Sequence, residues 1–193
     1  TPYFQFTDES CHPELLAGIA TELLKRKLDV RYICYGRFER GFTQELCRHL
    51  YRGGCRKILF GLESGCQKRL DAINKGISVQ GAEAILKNCA AAGIHYRVFA
   101  MIGLPHETVE EAYETFDFFR RNSDLFVSPF NHFEFSLFHL DRHSCLGREP
   151  ERYGLQLRAD NEAPFSLGGW PFYTDTGMDP RTVKKVYRNI TGE

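Results

Sequence analysis

The sequence predicts an α/β protein built on a parallel, barrel-like sheet. Two observations carry this expectation. Short apolar strand patterns alternate with helical ones along most of the chain, and strand starts recur at roughly 25–40 residues, within the range of βα units. Three strand ends also place an acidic residue beside a small or turn-forming one. They are Thr7-Asp8-Glu9-Ser10, Gly61-Leu62-Glu63-Ser64-Gly65 and Gly103-Leu104-Pro105-His106-Glu107-Thr108. An α/β enzyme presents ligand-binding groups in this way, at the carboxyl ends of parallel strands. The three ends are therefore expected to share one face.

Each element has its own signal. Tyr3 to Thr7 reads as a strand. Pro13 suits a first helical turn, and Leu15, Leu16, Ile19, Ala20, Leu23 and Leu24 follow at helical spacing. Arg31 to Tyr35 is the next strand. Thr43 caps a helix that carries Leu46, Cys47 and Leu50 and stops at Gly53-Gly54. Lys57 to Leu62 is a strand, followed by helical stretches from Gln67 to Ile73 and from Val79 to Ala92, the second between Ser78 and Gly93. Tyr96 to Ile102 is a strand. Thr108 and Glu111 form a capping box, with Ala112, Phe116 and Phe119 on one helix face. His132 to Phe138 is the last strand, with Phe133, Phe135 and Leu137 on one face. Beyond about His139 the regularity fails. Gly147, Pro150, Gly154, Pro164, Gly168, Gly169, Pro171, Gly177 and Pro180 mark an irregular extension, with a short helix from Pro180 to Asn189.

Composition narrows the class. The 193 residues suit one domain with a real core, and 25 basic residues balance 25 acidic ones. A strong nucleic-acid signal would show as a basic excess. No apolar run is long enough to span a bilayer. The seven cysteines are odd in number, irregular in spacing and without a CxxC pair. That favours a reduced, cytoplasmic setting over a disulfide framework, and argues against a zinc finger. Cys55, Cys66 and Cys89 read as small apolar packing residues. His132, His139 and His143 lack the helical spacing of a metal site. There is no initiator Met and the first residues already read as β-structure, so the chain is expected to be a fragment.

Four segments resemble the radical S-adenosylmethionine (SAM) superfamily, closest to the branch whose members often carry an upstream cobalamin-binding domain. Phe6-Thr7-Asp8-Glu9-Ser10 resembles the acidic segment after that branch's second strand. Gly54 to Gly65, running on to Ile73-Asn74-Lys75-Gly76, is similar to its fourth strand and following helix. Ala92-Gly93-Ile94 with Ile102 to Thr108 resembles its fifth strand and GLPGET turn, with His106 in place of the usual glycine. Ser144-Cys145-Leu146 with Pro150 to Gly154 is similar to an element after its sixth strand.

The resemblance implies a partial parallel (βα) barrel of radical SAM type. Residues 1–140 would supply strands two to six, and residues 141–193 a C-terminal extension packed on the barrel. Family members hold a 4Fe-4S cluster through a CxxxCxxC loop after the first strand, and no such motif occurs here. Three thiolates bind three irons and leave the fourth for SAM, whose reductive cleavage yields a deoxyadenosyl radical. The expected activity is therefore that of a radical SAM enzyme in its complete form, acting on a small-molecule or unknown substrate. This segment alone is expected to be inactive. Cobalamin in an upstream domain is a further expected cofactor.

The resemblance also nominates site residues. Glu9 matches a carboxylate facing the SAM ammonium; the plainer alternative is acidic lead-in to the helix at Pro13. Glu63 and Ser64 match an edge facing SAM methionine or ribose; alternatively Ser64 caps a helix. Gly103, Leu104 and Pro105 match the turn on which adenine packs, with glycine allowing close backbone approach. Arg37 is expected to meet a SAM or substrate carboxylate, or Glu39 or Glu45 on the surface. Arg97, inside a strand, needs a carboxylate partner, for which Glu63 is the candidate.

Two other readings remain open. A barrel enzyme with a different cofactor would take up a metal without iron–sulfur. A degenerate barrel would serve as a non-catalytic binding module. The fragment itself is expected to leave an open sheet edge, where the missing first strand would pair, and such an edge invites self-association.

Overall fold

The computed structural model describes residues 2–157 and 169–192, so the tail markers Pro164 and Gly168 lie outside the described residues. Strands β1 (Tyr3–Gln5), β2 (Arg31–Gly36), β3 (Cys55–Glu63), β4 (His95–Ile102) and β5 (His132–Leu137) form one sheet in the order 1-2-3-4-5. All neighbours are parallel, with Ile33 opposite Lys57, Leu59 opposite Arg97 and Phe99 opposite Glu134. The connections are α1 (Pro13–Lys25), α2 (Gln44–Arg52), α3 (Gln67–Ala72) with α4 (Val79–Ala92), and α5 (Val109–Arg121).

This order has a direct physical consequence. Right-handed crossovers in a sheet whose order never reverses place every helix on the same face. The helices accordingly pack side by side, α1 on α2 and α2 on α4. Alternate residues on the covered face are buried: Tyr32, Cys34, Ile58, Phe60, Leu62, Tyr96, Val98, Ala100 and Ile102. Each large apolar side chain there contributes about 1.5–3 kcal/mol. Ile33, Tyr35, Lys57, Gly61, Glu63, Arg97, Phe99 and Met101 point to the other face and are only half-buried. That is the face a closed barrel turns inwards.

The helices begin where capping chemistry places them. The Thr43 hydroxyl accepts from Leu46 N–H, and the Ser78 hydroxyl from Gly81 N–H. Thr108 and Glu111 complete the capping box at α5. Packing narrows some expected stripes. Leu16 and Ala20 face the core, whereas Leu15 is 55% exposed. In α5, Thr115 and Phe118 join Ala112 and Phe119 in the buried face, while Phe116 is half-buried. Phe133 and Phe135 meet Phe119 across the helix–sheet layer.

The extension holds a four-residue α6 (Cys145–Arg148), a 3-10 turn at Pro150–Tyr153 and an antiparallel ribbon of β6 (Gln156–Leu157) and β7 (Phe172–Tyr173). The ribbon has no counterpart in the sequence pattern, because two-residue strands fall below any periodicity. Helix α7 (Pro180–Thr191) starts at Asp179, whose carboxylate accepts from the N–H groups of Arg181 and Thr182. It packs on α5, β4 and β5, with Val186 buried and the Tyr187 hydroxyl donating to Phe135 O at 3.2 Å. All seven cysteines are free thiols, six of them buried. No described helix is long and apolar enough to cross a membrane.

Candidate functional site

Parallel strands place their carboxyl ends on one rim. Glu9 follows β1, Arg37 follows β2, Glu63 closes β3, and Gly103-Leu104-Pro105 follow β4. The acidic strand ends therefore converge on one side of the sheet.

Glu63 is the best-defined group. The ladder to β4 shifts register between Gly61 and Glu63, and Glu63 turns to φ 67°. Its carboxylate folds back over Gly61, where a Cβ would stand 2.6 Å from Oε1. Only glycine leaves that floor open. Oε1 accepts from Lys75 Nζ at 2.6 Å, with the side chains 19% and 20% exposed respectively. Lys75 comes from the turn after α3, between Asn74 at φ 53° and Gly76 at φ 71°. Sequence reasoning did not nominate Lys75. The available signal was its Asn-Lys-Gly turn, since Asn and Gly tolerate the left-handed region.

Arg37 lies on the same rim and donates to the Lys75 carbonyl. It also approaches Glu39 at 3.8 Å, the surface pairing its alternative reading anticipated. Glu9 is exposed, in a segment that continues along β2 through Phe6 N–H to Ile33 O and Cys11 N–H to Tyr35 O.

The turn after β4 is braced from several sides. Gly103 sits at φ 91° and donates to Glu107 Oε2 at 2.6 Å. Pro105 O accepts from Arg69 Nη1 at 2.9 Å, and Arg69 Nε lies 3.2 Å from Glu111 Oε2. Glu107 is 1% exposed, and among the described residues its Oε1 has no hydrogen-bond partner. Burial pushes the Glu107 carboxyl up to about 7, despite the Gly103 and Leu104 N–H groups that favour its charged form. Glu111 is held below its ordinary value: burial acts to raise it, and Lys68, the Thr108 N–H and Arg69 outweigh that.

His106, at the family's glycine position, also takes a left-handed φ of 59°. Its Nε2–H donates to Tyr153 O at 2.9 Å, which leaves Nδ1 to accept from the Thr176 hydroxyl at 2.7 Å. His106 thereby ties the turn to the extension. Next to it, Leu104, Phe138, Trp170, Phe172 and Met178 help line a largely apolar cavity of about 440 Å³.

Two nominated residues are placed away from the rim. Ser64 is fully buried and turned to α5, 3.0 Å from the Thr115 hydroxyl, and its Oγ accepts from Cys66 N–H. It does not cap α3, whose N-cap is Cys66. Arg97 stands opposite Leu59, four residues or about 13 Å along β3 from Glu63. Its carboxylate neighbour is Glu134 at 3.8 Å, not Glu63.

Cluster ligands are a separate question. The six buried thiols lie in the packed interior and Cys145 is exposed. Among the described residues no three His, Cys, Asp or Glu groups are arranged to hold a metal. These residues do not fit a 4Fe-4S cluster.

The family model that matches is the Radical SAM superfamily, over residues 5–119, more than half of the chain. The chain belongs to the radical SAM superfamily. Its open five-stranded sheet is the partial barrel that the resemblance implied. An uncharacterized methyltransferase of Pyrococcus horikoshii is 29% identical over 103 residues, covering 53% of this chain. The chain spans only 22% of that relative's length. Among solved structures, the cobalamin-dependent SAM radical enzyme OxsB covers 100% of the chain at TM-score 0.71 and 13% identity, over 38% of its own length. The radical SAM methyltransferase TsrM of Kitasatospora setae covers 76% at TM-score 0.59 and 22% identity, over 29% of its length. Coproporphyrinogen III oxidase HemN of Escherichia coli covers 94% at TM-score 0.60 and 12% identity, over 36% of its length. At these identities the likeness speaks for radical SAM architecture.

Proposed function

We propose that this chain forms the nucleoside-binding part of a radical SAM enzyme. Glu63 accepts hydrogen bonds from ribose hydroxyls, and adenine packs beside Gly103-Leu104-Pro105. The observation that carries this reading is the pairing of two ordered groups on adjacent strand ends of one rim. Glu63 is held over Gly61 by Lys75, and the next turn is braced by Glu107 and Arg69.

The chain's own contribution is binding and orientation. The Glu63 carboxylate is an acceptor with one oxygen already committed to Lys75. Gly103 supplies the φ of 91° that shapes the turn, and Val183 of α7 packs where its side chain would stand. Glu9 and Arg37 flank the same mouth and suit the ammonium and carboxylate of the methionine moiety. In the complete protein a 4Fe-4S cluster, held outside the described residues, would supply reductive cleavage of SAM to a deoxyadenosyl radical. By itself this segment would bind without turnover. Transfer of a methyl-type group, with cobalamin from another domain and a small-molecule acceptor, is the reaction class favoured by the methyltransferase and cobalamin-dependent relatives.

Calorimetric titration of the chain with SAM tests the site. Saturable binding is expected, weakened about tenfold, or about 1.4 kcal/mol, by Glu63→Gln. An unchanged affinity in that variant would remove Glu63 from the site.

A further inference from the structure

We infer that Lys75 neutralises the rim, so that Glu63 selects a ligand offering hydroxyl groups rather than one offering positive charge. This rests on the nucleoside reading above and specifies what the same site recognises.

A bare carboxylate at a strand end is a cation site, because an opposite charge nearby favours its ionised form. Glu63 is not bare. Lys75 Nζ stands 2.6 Å from Oε1, and both side chains are four-fifths removed from solvent. The pair is electrically neutral as seen from the mouth, with Oε2 left to accept from a ligand. A neutral acceptor suits a ribose diol and has little to offer a sulfonium or an ammonium.

The surroundings show that the pair is built rather than incidental. Glu63, Asn74 and Gly76 all occupy the left-handed region, at φ 67°, 53° and 71°. For Glu63 this stores strain, of a kind that persists only where the surroundings over-determine it. Arg37, from the end of β2, donates to the Lys75 carbonyl, and Lys75 N–H donates to Leu70 O at 2.9 Å. A side chain at position 61 would meet both partners, at 2.6 Å from Glu63 Oε1 and 3.3 Å from Lys75 Nζ. Three separate segments are therefore shaped around one ion pair. Lys75 acts through Glu63 and is a positioning residue.

The test compares SAM, which carries one more positive charge, with S-adenosylhomocysteine, which lacks the sulfonium. Affinities are measured by titration calorimetry for the wild-type chain, Lys75→Met and Lys75→Arg, with thermal unfolding to confirm that each variant folds. The wild type should bind the two ligands within about threefold of each other. Lys75→Met should shift the ratio about tenfold towards SAM, and Lys75→Arg should restore it, as expected when a neighbouring charge is removed and replaced. A ratio unchanged in Lys75→Met, with both ligands still binding, would overturn the inference and leave the nucleoside reading intact. Should neither ligand saturate the wild type, the nucleoside reading fails and hydroxyl selection with it. Amide exchange at Leu62 and Glu63 then judges Lys75: faster exchange in Lys75→Met keeps its positioning role, and unchanged exchange ends it.

Discussion

Glu107 is the residue whose charge is most at odds with its surroundings. Its carboxyl is pushed up to about 7 from an ordinary 4.5, chiefly by burial. The folded chain thus binds a proton that the unfolded chain releases between those values. Its contribution to stability is present below 4.5 and is lost as pH rises towards 7, by about 3 kcal/mol on full titration. Glu111 beside it runs the other way: its depressed value gives stability above the unfolded value that is lost as pH falls. Glu107→Gln isolates the first effect. Urea unfolding at about pH 5 and about pH 8 should show the variant gaining about 2–3 kcal/mol on the wild type across that interval. A constant difference between the two would refute the assignment. The sequence shows Glu107 only as one letter of a turn motif, because the environment of a carboxylate depends on neighbours, here Arg69, that lie far along the chain. Glu63 was easier to see, since a carboxylate directly after an apolar strand must find a polar partner near that strand's end.

At the scale of elements, α5 is joined to the end of β3 by polar contacts inside the core. Thr115 Oγ1 accepts from Gly65 N–H at 2.9 Å and lies 3.0 Å from Ser64 Oγ, all of it buried. Thr115→Val keeps the shape and removes the acceptor, leaving a buried N–H unpaired. It should cost about 1–3 kcal/mol in chemical unfolding, with SAM affinity nearly unchanged because Ser64 faces α5 and not the rim. A marked loss of affinity without loss of stability would return Ser64 to the binding groups. Helix starts at Thr43, Ser78 and Thr108 were legible because each hydroxyl binds an N–H within its own turn. The direction of Ser64 was not, because its partner is 51 residues away. The same reason separates Arg97 from Glu63: alternation along a strand gives the face, whereas register decides the neighbour.

For the molecule as a whole, the one-sided helix layer explains why burial alternates along β2 and β4, every second residue being buried and the rest half-exposed. A parallel strand covered on both faces would be apolar throughout, and here one face carries Lys57, Arg97 and Glu63. Among the described residues the sheet also has two edges, β1 and β5, each paired on one side only. At β1 the exposed Tyr3 and Phe4 flank an unpaired ladder, a surface that invites pairing between chains. Sedimentation of the isolated chain should show mass rising with concentration, and Phe4→Lys should suppress the rise. A single monomeric species at every concentration would count against that edge as a contact.

The unbroken 1-2-3-4-5 order bears on how the chain is made. Each strand lies beside the one synthesised just before it, so every new βα unit leaving the ribosome meets a finished partner. Assembly can follow synthesis from the amino terminus without waiting for distant segments. Helix α7, which closes over α5 and β5, follows all five strands in the chain and docks after them.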